Sequence, residues 1–284
     1  VWLVLAIVKK WALLPAAGLA WYLDELLFGR ALANRVVERP LFLLSAARSG
    51  STQISHYIEE DDRLAVPSMM QVVCPYLWVW TLLGPTVGRV LPRSVLRTLF
   101  DRMITEEFRQ RHEGDPYRTD TFEVLYGVQR LTMLSLKLGP RVARREFCFA
   151  RSPVPLDPTW TSDFVDFIDR IGRKTLLFAG PDTNGRSRRF FIKGHFQRLD
   201  DALAQRYPTA QFLTVVRDPA KRLKSMVNHI HGNSAEPALG AIPWAWIGAY
   251  VPDGEAAYNL REQAWFSRID GPERVVVRFV DYVD

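Results

Sequence analysis

Cysteine is scarce: the 284 residues hold two, Cys74 and Cys148. Two thiols cannot staple a chain of this length, so a disulfide scaffold is excluded and a reducing compartment is the expected setting, with both thiols buried. Strong charge of one sign is missing as well. The 37 Lys and Arg set against 31 Asp and Glu leave a formal charge of +6. That balance suits an anionic ligand or an anionic membrane surface and falls short of the clustered charge of a nucleic-acid binder, so no nucleic-acid partner is expected. Long apolar runs are also absent. The most apolar stretch, residues 1–28, is cut by Lys9-Lys10 and contains Pro15, and neither part reaches the roughly 18–20 unbroken apolar residues that span a bilayer. No small-residue cleavage site follows the cationic pair, so a signal peptide is a poor fit. No internal repeat and no low-complexity segment interrupts the chain.

What is present is ordinary globular material, 48% hydrophobic and 24% charged, which excludes a disordered, collagen-like or coiled-coil chain. Residues 1–38 read as an apolar N-terminal helical arm. Its Lys9-Lys10 pair, Trp2, Trp11, Trp21 and Leu-rich turns suit a helix lying among lipid headgroups. They equally suit a helix packed on the protein's own core, and both readings stand. The expected location is the cytoplasm, with peripheral contact or anchoring at a membrane through residues 1–28 under the first reading. The chain starts at Val1 rather than Met and stops at Asp284 directly after a strand-like run, which reads as a fragment.

Residues 39–284 read as one α/β domain. Leu41–Leu44 is apolar and too short for a helix, hence a buried strand; residues 45–52 are small, and 53–60 read as a helix. Strand, small-residue loop and helix open a βαβ unit. Residues 69–138 alternate apolar helical stretches with Pro and Gly breaks and read as a helical insertion. An amphipathic helix is expected over 157–173, with Trp160, Phe164, Phe167, Ile168 and Ile171 on one face. Further strands are expected at 189–193, 211–216 and 274–280, with helices over 199–206 and from Pro219 through 229. Short hydrophobic strands separated by helices predict a central, mostly parallel sheet covered on both faces.

Three stations in this pattern carry chemistry. The loop Ser45-Ala-Ala-Arg48-Ser49-Gly50-Ser51-Thr52 lies where α/β proteins bind phosphate: small residues let backbone N–H groups approach an anion, and the helix that follows points its positive end there. Arg48 adds a fixed charge, and Ser49, Ser51 and Thr52 add donors. Against the nucleotide-hydrolase pattern G-x-x-x-x-G-K-[ST], Gly50 and Thr52 fit, Ser45 replaces the first Gly and Ser51 replaces the Lys. Metal-dependent ATP or GTP hydrolysis loses its main machinery by that change. Arg217 stands at the carboxyl end of the third of these strands and Ser225 two turns into the next helix, placed to grip one phosphate together; Asp218 can cap that helix and pair with Arg217. Lys193-Gly194-His195 ends another strand between these two stations. Imidazole suits proton abstraction near neutrality, and an ammonium steadies developing negative charge.

Taken together, the stations resemble the PAPS-dependent sulfotransferase family, of P-loop nucleotide-binding type, over about residues 23–284. In that family a [KR]-S-G-[ST]-T loop binds the 5′-phosphosulfate of the donor, and here it reads Arg48-Ser49-Gly50-Ser51-Thr52. An Arg and a Ser eight positions apart bind the 3′-phosphate, matched by Arg217 and Ser225, and a K-x-H element with its His as base is matched by Lys193 and His195, 22 residues before Arg217. The resemblance implies 3′-phosphoadenylyl sulfate (PAPS) as sulfuryl donor, adenosine 3′,5′-bisphosphate as product, no metal, and a lipid, glycan or small-molecule acceptor with a hydroxyl or amine. It implies His195, Lys193 and Arg48 as catalytic residues, and Arg48, Ser49, Gly50, Ser51, Thr52, Arg217 and Ser225 as donor-binding ones.

The chain departs from the family where many bacterial relatives carry a Glu and it has Gln71, and where Phe279 stands in place of a frequent Tyr. The adenine-covering C-terminal loop is expected beyond Asp284. Should His195 not be the base, Glu123 or Asp120 would be next. Trp78, Trp80, Trp244, Trp246, Tyr250 and Trp265 are candidates to line an acceptor pocket, and His229-x-His231 reads as a solvated helix end. The rival readings are a P-loop kinase or nucleotide hydrolase, and an inactive membrane-associated scaffold on the same fold.

Overall fold

The computed structural model describes residues 2–84, 94–95, 98, 115, 117–119, 158–232, 244–266 and 273–281. Five strands form one parallel sheet: β1 (Leu41–Leu44), β2 (Leu64–Ala65), β3 (Arg189–Gly194), β4 (Gln211–Val216) and β5 (Arg274–Arg278), in the order β2-β3-β1-β4-β5. The helices are α1 (Trp2–Ala33), α2 (Ser51–Ile58), α3 (Met69–Val73), α4 (Pro158–Ala179), α5 (Asp200–Arg206), α6 (Pro219–Gly232) and α7 (Trp244–Phe266). The α/β reading holds.

β1 is short but central, with β3 on one side and β4 on the other, so both of its faces are covered and LFLL needs no polar alternation. Phe42 and Leu44 point to the layer of α4 and α5, where they meet Phe164, Ile168, Leu199 and Leu203; Phe190, Ile192 and Phe212 join them from the flanking strands. Leu43, Phe191 and Val215 point the other way and pack with Leu64 and with Ile54 and Ile58 of α2. Burying each such side chain stabilises the fold by about 1.5–3 kcal/mol.

β5 is narrower than the 274–280 expected of it, because Phe279–Asp281 turns into a 3₁₀ segment. β2 and α7 are additions to the reading from sequence. Of the helical insertion expected over 69–138, the described part consists of α3, a π-helical turn at Val79–Leu83 and isolated residues beyond it. Gln71 closes a capping box with Ser68: its Oε1 accepts from Ser68 N at 2.9 Å while Ser68 Oγ accepts from Gln71 N at 3.3 Å.

α1 runs unbroken through Pro15. Trp21 lies edge-on to Tyr76 and against Phe167 of α4, and the buried Asp24 accepts backbone N–H bonds from Leu77 and Trp78 at 2.9 and 2.8 Å. Asp24 also pairs with Lys174 of α4 at 2.7 Å, with the Lys174 ammonium lying 3.3 Å from the centre of the Trp21 ring. Burial depresses the Lys174 pKa to about 8 in spite of the opposing pull of Asp24. On the other side of α1, Leu19, Tyr22, Leu26 and Leu27 are exposed. Among the described residues no helix is long and apolar enough to cross a membrane.

Candidate functional site

Because β1, β3 and β4 are adjacent and parallel, the loops that leave their carboxyl ends share one edge, and that edge gathers all three stations. The chain leaves β1 through Ser45, which anchors the arrangement. Ser45 Oγ accepts from Val215 N of β4 at 2.8 Å, and its backbone N–H donates to the Gly194 carbonyl of β3 at 3.2 Å.

The loop then turns through Arg48 at φ 67° and Gly50 at φ 94°. Gly50 adopts that left-handed conformation at little cost, whereas Arg48 is held in it by its surroundings. With Gly50 as N-cap there is no side-chain cap on α2, so its first turn presents backbone N–H groups and the positive end of the helix dipole toward the loop. Ser49 is fully buried, and its Oγ has no hydrogen-bond partner among the described residues. Ser51 is buried and Thr52 half-buried, at the start of α2.

Arg48 reaches across the edge and donates from Nε to Ser225 Oγ of α6 at 3.0 Å. Arg217, just past β4, donates to the Arg48 carbonyl at 3.1 Å and stacks its guanidinium 4.3 Å from the centre of the Phe279 ring. The two candidate anion sites, read as separate in the sequence, are thus joined through Arg48. Asp218 caps α6 by accepting from Lys221 N at 2.8 Å, but no ion pair with Arg217 forms among the described residues; that expectation is corrected, since Arg217 is turned to the loop carbonyl and the aromatic ring instead. Arg217 Nε is buried without a hydrogen-bond partner among the described residues. A cavity of about 180 Å³ opens here between the ends of β4 and β5, lined by Val216, Arg217, Asp218, Arg278, Phe279 and Val280.

Lys193, buried at the end of β3, donates from Nζ to Thr52 Oγ1 at 2.6 Å. The loop has Ser51 where nucleotide hydrolases carry a Lys, and an ammonium reaches the same turn from the neighbouring strand. Gly194 must lack a side chain: a Cβ there would stand 1.8 Å from the Phe196 ring. His195 follows, its Nδ1 2.8 Å from the Ser45 carbonyl oxygen. A carbonyl only accepts, so Nδ1 carries the proton and Nε2 keeps the lone pair that a base needs.

Helix α7 adds residues that the sequence reading did not name. Tyr258 donates to the His195 carbonyl at 2.5 Å, and Arg261 donates from Nε to the Gln197 carbonyl at 3.1 Å. The fully buried Arg222 of α6 pairs with Glu255 at 2.9 Å and Glu262 at 2.8 Å. Burial works against the Arg222 charge, yet these two carboxylates hold its pKa above the usual value; burial also raises the pKa of Glu262, outweighing the pull of Arg222. The signal in the sequence was the stripe 247, 251, 255, 258 and 262, one helix face on which glutamates stand among apolar residues.

Of the candidate acceptor aromatics, Trp80 is core, packed with Leu77 and Leu32, and Trp244 is exposed. The side chains of Trp246, Tyr250, Trp265, His229 and His231 lie outside the described residues, as do Asp120, Glu123 and Cys148. Cys74, expected to be buried, is half-buried, and desolvation raises its thiol above the usual pKa.

No protein-family model and no curated protein matches the chain. Solved structures do. The sulfotransferase STF9 from Mycobacterium avium superposes with a TM-score of 0.63 at 17% identity, over 92% of this chain and 63% of that one. The sulfotransferase STF1 from Mycobacterium tuberculosis H37Rv gives 0.59 at 18%, over 93% and 67%. The chain therefore spans about two thirds of the length of these proteins and has their fold.

Proposed function

We propose that this protein is a sulfotransferase that moves a sulfuryl group from PAPS to a hydroxyl or amine of an acceptor. The observation that carries the reading is the convergence of Arg48, Ser225, Arg217, Lys193 and His195 on one sheet edge. The shared fold of solved sulfotransferases supports it.

The residues present suit such a donor. Ser49 Oγ and Arg217 Nε are buried polar atoms without a partner among the described residues, and a buried donor left unsatisfied costs about 1–3 kcal/mol, so a phosphate accepting from them recovers that loss. Arg48, Ser49, Gly50, Ser51 and Thr52 would hold the 5′ end, and Arg217 with Ser225 the 3′-phosphate. When bound, the nucleotide supplies a sulfuryl group already activated for transfer. His195 Nε2 accepts the proton of the attacking hydroxyl or amine, while Nδ1–H stays fixed on the Ser45 carbonyl. Lys193 and Arg48 offset the negative charge that grows toward the leaving phosphate. Peripheral contact with a membrane through α1, where Leu19, Tyr22 and Leu26 are exposed, is tested by cosedimentation on anionic vesicles.

Thermal-shift titration with adenosine 3′,5′-bisphosphate, ATP and GTP, with and without Mg²⁺, tests the donor class. Metal-independent stabilisation by the bisphosphate is expected; stabilisation only by ATP with Mg²⁺ would favour the kinase reading. His195→Ala is expected to lower turnover by about 10²–10⁴-fold with bisphosphate affinity retained. Near-full turnover in that variant would remove His195 from the role of base.

A further inference from the structure

We propose that Tyr258 is a positioning residue for His195, the central tooth of a clamp by which α7 sets the imidazole against the anion grips. The function assigned to this clamp rests on the sulfotransferase reading; its geometry does not.

His195 sits on a bend just past the end of β3. Bonds hold it at opposite ends of the residue. The ring is held through Nδ1 on the Ser45 carbonyl at 2.8 Å, and the backbone is held where its carbonyl accepts from the Tyr258 hydroxyl at 2.5 Å. One contact orients the ring, and the other places the backbone from which the ring projects. Tyr258 is itself immobilised: it is 2% exposed and packs against Ala46 of the anion loop. One turn further along α7, Arg261 pins the Gln197 carbonyl at 3.1 Å and pairs with Asp200 at 2.9 Å, so the turn is held at two carbonyls.

The same helix grips α6 through Glu255, Asn259 and Glu262, all bonded to Arg222, three residues before Ser225. Ser225 in turn accepts from Arg48. One rigid element therefore references both the imidazole and the 3′ grip. A polar cluster on this buried face fixes direction where apolar contacts would allow sliding, and a misplacement of about 1 Å can cost 10²-fold in rate.

Tyr258→Phe keeps the ring and removes the donor. In this variant turnover is expected to fall about 10–100-fold, the scale of a mispositioned reacting group, while bisphosphate affinity by calorimetry stays within about twofold. A second readout needs no substrate. In ¹⁵N-histidine NMR, with His195→Ala to assign the signal, the wild type should show His195 as the Nδ1–H tautomer, and Tyr258→Phe should drift toward the solution mixture of tautomers. If Tyr258→Phe does not fold, Arg261→Ala tests the same turn from its partly exposed side, with the same direction expected. A folded variant with wild-type turnover and an unchanged His195 tautomer overturns the proposal. A wild-type protein that neither binds the bisphosphate nor transfers sulfate overturns the donor reading instead, and the tautomer measurement then still decides the clamp.

Discussion

Arg48 and Ser225 are 177 positions apart in the chain and 3.0 Å apart in the fold, Nε donating to Oγ. A guanidinium on the loop after β1 is thereby fixed by a hydroxyl on the helix that follows β4.

This linkage makes the two residues non-additive. Ser225→Ala and Arg48→Ala should each weaken binding of adenosine 3′,5′-bisphosphate by about 10–100-fold, the scale of a hydrogen bond to a charged group. The double variant should lose less than the product of the two, since the second truncation removes a group already displaced. Isothermal titration calorimetry around the double-mutant cycle measures this; strict additivity would show that the contact does not organise the site.

Arg217 holds three positions at once: the Arg48 carbonyl, the face of Phe279 and the rim of the cavity beyond β4 and β5. A lysine cannot bond and stack simultaneously with a flat fork of donors. Arg217→Lys should therefore lose bisphosphate affinity nearly as much as Arg217→Ala, by about tenfold or more. Affinity close to wild type in the lysine variant would reduce the role of Arg217 to a point charge.

At Gly194 the close approach of Phe196 predicts a steric outcome. A Cβ at 1.8 Å from the ring has no room, so Gly194→Ala should destabilise the fold by about 1–3 kcal/mol or more and shift His195 with it. Adding Phe196→Leu should recover part of the stability in urea unfolding. An unperturbed midpoint for Gly194→Ala alone would refute the crowding.

The buried pair Asp24–Lys174 predicts a pH dependence. Folding lowers the Lys174 pKa from 10.5 to about 8, so between those values the unfolded chain holds a proton that the folded one has released. Stability from this group therefore rises with pH from about 8 to 10.5, by about 3 kcal/mol in all, and is flat below and above that window. Replacing both partners, Asp24→Asn with Lys174→Met, should remove this rise while leaving stability at pH 7 equal or higher, because the pair is desolvated on both sides. Urea unfolding at pH 7, 9 and 10 compares the two proteins; parallel pH profiles would dismiss Lys174 as the titrating group.

The strands β1 and β4 were legible to the residue, because LFLL and QFLTVV are apolar, β-rich and bounded by breakers. β2 was not, since Leu64–Ala65 is too short to show any period. α7 escaped for a different reason. Its buried face carries Glu255, Tyr258 and Glu262, and Pro252 lies inside it, so apolar periodicity fades where the clamp is built. Arg48, Lys193, His195, Arg217 and Ser225 were each legible as candidates from residue type and position after a strand. Their mutual bonds were not; Asp218 caps its helix as expected, but among the described residues it does not form the expected pair with Arg217.

The amino-acid order alone settled the local matters: which short runs are strands, where small residues leave room for an anion, and which strand ends carry Arg, Lys and His. Those follow from side-chain shape, period and backbone freedom, which act over a few residues. Only the assembled molecule decided that Arg48 bonds both Ser225 and Arg217, that Lys193 delivers its ammonium to Thr52, and that His195 is held through Ser45 and Tyr258. Such contacts join segments far apart in the chain, and the parallel packing of β3, β1 and β4 brings their ends to one edge.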